Sequence, residues 1–200
     1  MTDARRYAPP AQRNRDPIAE VLRTILPERG TVLTIAEGTG EHAVHFARGF
    51  PNLTFQPTDP DPGALASIAA WTAHEGLKNI PLPLALDASS DEWPVEKADA
   101  VLCINMIHIS PWAATEGLMR SAARLLSKGA PLYLYGPYRR DGKQTSESNE
   151  NFEGWLKSLS PEYGVRDLAD VADCAARNGF GEPEMIDMPA NNFSVVFRRG

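Results

Sequence analysis

The residues best suited to chemistry in this sequence gather around Gly38-Thr39-Gly40, inside the run 31–47. An apolar strand, Val32 to Ile35, leads into the glycines. A helix beginning near Glu41 leads out and turns Ala43, Val44, Phe46 and Ala47 inward. Glycines at a strand-to-helix turn let the backbone take positive φ angles and approach a ligand closely. The helix N-terminus behind them offers free N–H groups to a polar or anionic group. The chemistry expected there is recognition of a nucleotide-like cofactor.

Two patterns fit the run. Gly38-x-Gly40-x-x-Ala43, with Asp59 about 20 residues further on, satisfies a loose dinucleotide-binding fingerprint. Val32-Leu33-x-Ile35-x-x-Gly38-Thr39-Gly40 resembles more closely the first motif of class I S-adenosylmethionine methyltransferases. Other polar residues fall at expected strand ends. Asp59 and Asp61 follow the second strand, Asp87 and Ala88 the third, and Asn105 to His108 the fourth. In open α/β sheets, ligands bind at the carboxyl ends of the strands where the strand order reverses. Asp59 is placed to accept hydrogen bonds from vicinal ribose hydroxyls, and Asp87 from an adenine amino group. His108 is a candidate general base beside the reacting group, since a free imidazole titrates near working pH. It is equally compatible with a structural histidine. His42 and His45 share a helix face without a third ligand, so a metal site is not expected.

The elements that would position these residues read as an alternating series. Asp16 is a predicted N-cap with Pro17 at the first helical position, preceded by a polar arm over 1–15 that carries Arg13 and Asn14. Ile18, Val21, Leu22, Ile25 and Leu26 give that helix, 16–27, its apolar stripe. Strands are expected at 32–35, 53–58, 80–86, 98–108 and 131–136, with prolines 81 and 83 weakening the third. Helices are expected around Leu65–Thr72, Leu118–Leu126 and Leu168–Ala175, and residues 137–150 as a polar loop opening with Tyr138. Glu184–Met188 and Phe193–Phe197 close the chain as a strand pair. The pattern predicts one α/β domain over 1–200. It is a Rossmann-like doubly wound sheet, mostly parallel with a C-terminal antiparallel strand and helices on both faces.

Composition narrows the partners. The chain has 200 residues, 42% hydrophobic and 23% charged, and a formal net charge of −6. That balance argues against binding duplex nucleic acid, which requires a basic face. Two cysteines are too few for a disulfide scaffold, and no apolar run is long enough to span a bilayer. A cytoplasmic protein is expected.

Further motifs carry a family resemblance. They are Gln12-Arg13-Asn14-x-x-Pro17-Ile18, Gly38-Thr39-Gly40-x-His42-Ala43-x-His45-Phe46-Ala47 and Pro57-x-Asp59. Later in the chain come Asn105-Met-Ile-His-Ile-Ser-Pro-Trp112, Leu134-Tyr-Gly-Pro-Tyr138, Ser146-x-Ser-Asn149 and Pro189-Ala-Asn-Asn-Phe193. In these the chain resembles the methyltransferase-like protein twenty-six group, which implies a Rossmann-like S-adenosylmethionine fold without supplying a methyl acceptor. One departure stands out. Methyltransferases of this class carry an acid where this chain has Thr34, and here the acid appears three residues later, at Glu37.

The combined expectation is an S-adenosylmethionine-dependent methyltransferase acting on a small molecule. Asn14, Glu37, Gly38, Thr39, Gly40, His42, Asp59, Asp61, Asp87, Ala88 and Asn105 are expected around the cofactor, with His108 and Tyr138 on the substrate side. A non-catalytic S-adenosylmethionine-binding module is the alternative. A nicotinamide oxidoreductase, resting on the glycine fingerprint alone, is a weaker one. Oligomeric state is left open.

Overall fold

Apolar runs bounded by glycine, proline and asparagine fold into seven strands in the structure, a computed structural model that describes residues 3–200. The strands are β1 (Gly30–Ile35), β2 (Leu53–Asp59), β3 (Leu84–Ala85), β4 (Ala100–Ile104), β5 (Pro131–Gly136), β6 (Glu184–Met188) and β7 (Asn192–Arg198). They form one sheet in the order β3-β2-β1-β4-β5-β7-β6. Neighbours from β3 to β5 pair in parallel, whereas β7 runs antiparallel to both β5 and β6. The expected Rossmann-like doubly wound sheet is therefore what the chain adopts.

Burial on both faces explains why the central strands are apolar throughout. Along β4, Val101 and Cys103 join one core with Leu33, Ile35, Leu118 and Ala122. Ala100 and Leu102 join the other with Val32, Ile18, Leu22 and Phe46. Side chains alternate across a strand, so a strand covered on both faces is apolar at every position. Helices α1 (Pro9–Ile25) and α2 (Glu41–Gly49) cover one face, with α3 (Pro62–Glu75) beyond them. Helices α4 (Trp112–Leu125) and α6 (Leu168–Arg177) pack on the other, and α5 (Glu147–Leu159) lies between β5 and α6 in the chain.

The elements depart from the sequence expectation in four places. The third strand shrinks from 80–86 to Leu84–Ala85, because Pro81 and Pro83 lack the N–H that a ladder needs. The fourth stops at Ile104, and Met106–His108 coils into a 3-10 turn instead of extending the strand. The first helix begins at Pro9, not at Pro17, so Asp16 is no cap and most of the supposed polar arm is helical. Pro17 forfeits one intrahelical hydrogen bond. The turns before it are held by tertiary contacts: Ala11 is buried, Gln12 Nε2 donates to Glu41, and Asn14 pairs with His42. Finally, the polar loop ends early. Ser146 accepts from the Asn149 N–H as N-cap of α5, whose Phe152, Trp155, Leu156 and Leu159 recur at helical spacing.

Candidate functional site

The strand order reverses between β1 and β4, and the chain opens a cleft there. Ala36, just past β1, has φ 51°, and Asn105, just past β4, has φ 62°. Non-glycine residues rarely hold the left-handed region, which costs about 1–3 kcal/mol each and gathers at ligand sites. Two lobes of about 260 and 530 Å³ meet along Ile35, Ala36, Ile104 and Ile109.

The smaller lobe is lined by Thr34, Glu37, Gly38, Thr39, His42 and Asn105, with Asn14 facing them from α1. Glu37 Oε1 accepts the Ala43 N–H at 2.7 Å, so this carboxylate already occupies the N-terminal end of α2. Burial, with the nearby Asp59 charge adding to it, pushes the Glu37 carboxyl up to about 7. Thr34, 3% exposed, lies beside Glu37, and its hydroxyl acts against that rise. His42 Nε2 lies 2.7 Å from Asn14 Oδ1, and burial pushes its pKa down to about 4. It is therefore neutral at physiological pH, donating its Nε2–H to Asn14.

The larger lobe carries Asp59, Asp87 and Ala88, with Met106, Ser110 and Tyr163 on its far side. Asp59 Oδ2 accepts the Gly38 N–H at 2.8 Å and Oδ1 the Asp61 N–H at 2.9 Å. Each carboxylate oxygen keeps a lone pair for a ligand hydroxyl. Asp87 uses Oδ1 on the Ser89 N–H and hydroxyl. No Lys or Arg lines either lobe, and Glu37 and Asp59 put two carboxylates at their junction with the glycine turn.

Four residues expected at the site lie outside this lining. Gly40 is the N-cap of α2 at φ 92°, and a Cβ there would stand 2.8 Å from Ile68 Cα. Its contribution is therefore close packing of α2 on α3, whereas Gly38 (φ 70°) faces open space. Gly40→Ala is expected to destabilise the protein by about 2–3 kcal/mol, read as a lowered Tm, because strain and a backbone clash add. Asp61 caps α3 through the Gly63 N–H and pairs with Arg6, so it belongs to the outer surface.

His108 and Tyr138 are brought together, ring centroids 5.1 Å apart, but both are fully buried and neither lines a lobe. The 3-10 turn folds His108 inward beneath residues 164–166, where Nδ1 accepts the Arg166 N–H at 3.2 Å. Burial and the Arg166 charge push its pKa down to about 3. A histidine depressed in the folded state contributes stability above its unfolded value near 6.5, lost as pH falls below it. His108→Gln is accordingly expected to flatten the loss of Tm between pH 6.5 and 4, read from melting curves at stepped pH.

The sequence reading missed Pro10, Ala11, Ile109 and Tyr163 as lining residues. Helix α1 brings Pro10 and Ala11 across, and its start at Pro9-Pro10 resembled a loop. Tyr163 arrives on a loop with no periodic signal.

The fold has many solved relatives. An O-methyltransferase family protein from Burkholderia thailandensis superposes with a TM-score of 0.81 at 17% identity, covering 95% of this chain and 57% of that one. The mitomycin 7-O-methyltransferase MmcR gives 0.81 at 16%, covering 95% and 54%. CalO1, a methyltransferase of calicheamicin biosynthesis solved with S-adenosylhomocysteine bound, gives 0.75 at 13%, covering 94% and 54%. The chain thus spans 54–57% of the length of these three proteins. At such identities the likeness establishes the fold. Sequence places the chain more narrowly: it matches over residues 5–199 the family described as "Protein of unknown function (DUF938)", and it belongs to that family.

Proposed function

We propose that the cleft binds S-adenosylmethionine and that the protein transfers its methyl group to a small-molecule acceptor. One observation carries this reading. The cleft is lined by carboxylates and by no Lys or Arg, and the α2 N-terminus is already occupied by Glu37. A dinucleotide brings a diphosphate, which seeks helix N–H groups and cations. S-adenosylmethionine instead brings no phosphate: its sulfonium and α-ammonium outweigh its one carboxylate, so it is net positive, and it carries a ribose. The acid-lined cleft complements those charges, and the methyltransferase neighbours, one with S-adenosylhomocysteine bound, point the same way.

In this reading S-adenosylmethionine supplies a methyl group made electrophilic by its sulfonium. Asp59 would receive the ribose hydroxyls. Glu37, with the Thr34 hydroxyl beside it, would hold the ammonium, taking over from the acid missing at position 34. Gly38 and Thr39 would border the amino-acid part, Asn14 and Asn105 would flank it with His42, and Asp87 and Ala88 would edge the adenine. What remains for the enzyme is mostly alignment of nucleophile, methyl and sulfur. The resemblance to the methyltransferase-like protein twenty-six group belongs to the same reading. A small acceptor suits a chain of net charge −6, and two buried free thiols suit a reducing cytoplasm. No helix among the described residues is long and apolar enough to cross a membrane.

Isothermal titration with S-adenosylmethionine, S-adenosylhomocysteine and NAD tests the reading. Micromolar binding of the first two is expected, and binding of NAD alone, or of nothing, would overturn it. A second reading, a non-catalytic S-adenosylmethionine-binding module, is favoured by the burial of His108 and Tyr138 away from the cleft. Binding without methyl transfer to any acceptor in a broad screen would select it.

A further inference from the structure

The wall of the smaller lobe opposite β1 is built by the N-terminal segment, through Ala8, Pro10, Ala11 and Asn14. That segment is tied down at both ends of its path. Towards α3, the Arg6 N–H donates to Ser67 Oγ at 2.8 Å, and the Trp71 indole N–H donates to the Arg6 carbonyl at 2.9 Å. Tyr7 packs edge-on against Trp71, and Arg6 pairs with Asp61. Towards the cleft, Asn14 Oδ1 meets His42 Nε2 at 2.7 Å, and the remaining ties converge on Glu41. This carboxylate is 3% exposed and lies at the start of α2. Its Oε2 accepts the Ala8 N–H at 2.6 Å and the Thr39 hydroxyl at 3.0 Å, and its Oε1 accepts Gln12 Nε2 at 3.1 Å. No cation pairs with it among the described residues.

A buried carboxylate satisfied by neutral donors from two segments is a latch with a defined geometry. Three donors surround two oxygens, one of them from the glycine turn and two from the segment that covers it. We infer that Glu41 is the positioning residue of this wall: its carboxylate straps residues 5–14 over the smaller lobe, and the cofactor enters and leaves by release of that strap. The inference rests on the S-adenosylmethionine reading of the cleft. It assigns Glu41, which has no place in the cleft lining, control of how long the spent cofactor remains bound.

The strap offers its own reporters. Arg5 and Arg6 are trypsin sites on its N-terminal part. In the full chain, saturating S-adenosylhomocysteine is expected to slow cleavage at Arg5 and Arg6 while leaving cleavage at Lys157 and Arg199 unchanged. Glu41→Gln keeps the volume but removes the charge, so the Ala8 N–H, the Thr39 hydroxyl and the Gln12 amide lose a charge-assisted acceptor. It is expected to raise the dissociation constant for S-adenosylhomocysteine about tenfold, mostly through a faster off-rate, and to abolish the protection. Gln12→Ala removes one donor and leaves the carboxylate, so about a threefold loss is expected even if Glu41→Gln folds poorly.

Calorimetry, stopped-flow release and timed proteolysis read these effects. Wild-type affinity and off-rate in both variants would overturn the inference, as would cleavage at Arg5 and Arg6 indifferent to ligand in the wild type. Such a result with normal wild-type binding retires the strap alone. A wild type that binds no S-adenosylhomocysteine removes the strap and the cofactor reading together.

Discussion

Asp59→Ala is expected to weaken S-adenosylhomocysteine binding by at least about a hundredfold, with methyl transfer lost in parallel. Asp59 is 6% exposed at the end of β2 and holds the Gly38 N–H on one oxygen and the Asp61 N–H on the other. In the proposed reading its removal takes away the acceptor for the ribose hydroxyls, and it also frees the glycine turn that shapes the smaller lobe. Asp59→Asn separates the two losses. It keeps the volume but turns an amide N–H towards one backbone donor, so an intermediate loss of about tenfold is expected with little change in Tm. Calorimetry on both variants, with melting curves beside it, checks this. An Asp59→Ala protein that is folded and binds the ligand like the wild type would remove Asp59 from the cofactor site.

The second large effect is a pH dependence centred on Glu37. Burial, the nearby Asp59 adding to it, lifts its carboxyl from the ordinary 4.5 to about 7. A folded-state pKa above the unfolded one contributes stability at pH below 4.5, and that contribution is lost as pH rises through about 7. In the empty protein, ionising Glu37 thus opposes folding across this window. A bound ammonium reverses the sign, because it favours the ionised form. Affinity for S-adenosylhomocysteine is accordingly expected to rise about tenfold from pH 6 to pH 8, with a proton released on binding. Glu37→Gln should flatten that slope and, without ligand, raise Tm at pH 8. Titrations in two buffers of different ionisation enthalpy count the proton. An unchanged slope in Glu37→Gln would assign the titration to another group.

Both predictions rest on residues that the sequence made visible, and the reason is local. A glycine turn after an apolar strand and before an amphipathic helix is encoded within about twenty residues, as are Asp59 after β2 and Asp87 after β3. Period and composition likewise dictated an α/β sheet with a closing antiparallel strand, since strands buried on both faces must be apolar at every position. Residues close to strand ends were therefore legible: Glu37, Gly38, Asp59, Ala88 and Asn105 all line the cleft.

What only the tertiary structure decided is the direction of side chains that leave the strands. Asn105 at φ 62° starts a 3-10 turn, so His108 points into the core and not into the cleft. Tyr138, one residue beyond Pro137, follows it inward and ends against the His108 ring. Pro9 and Pro10 look like a loop in isolation. They begin a helix because Glu41 and His42, some thirty residues away, supply partners that local propensity cannot. Periodicity reports which face of an element is apolar. It carries no information about hydrogen bonds between distant segments, and those bonds are what close this cleft.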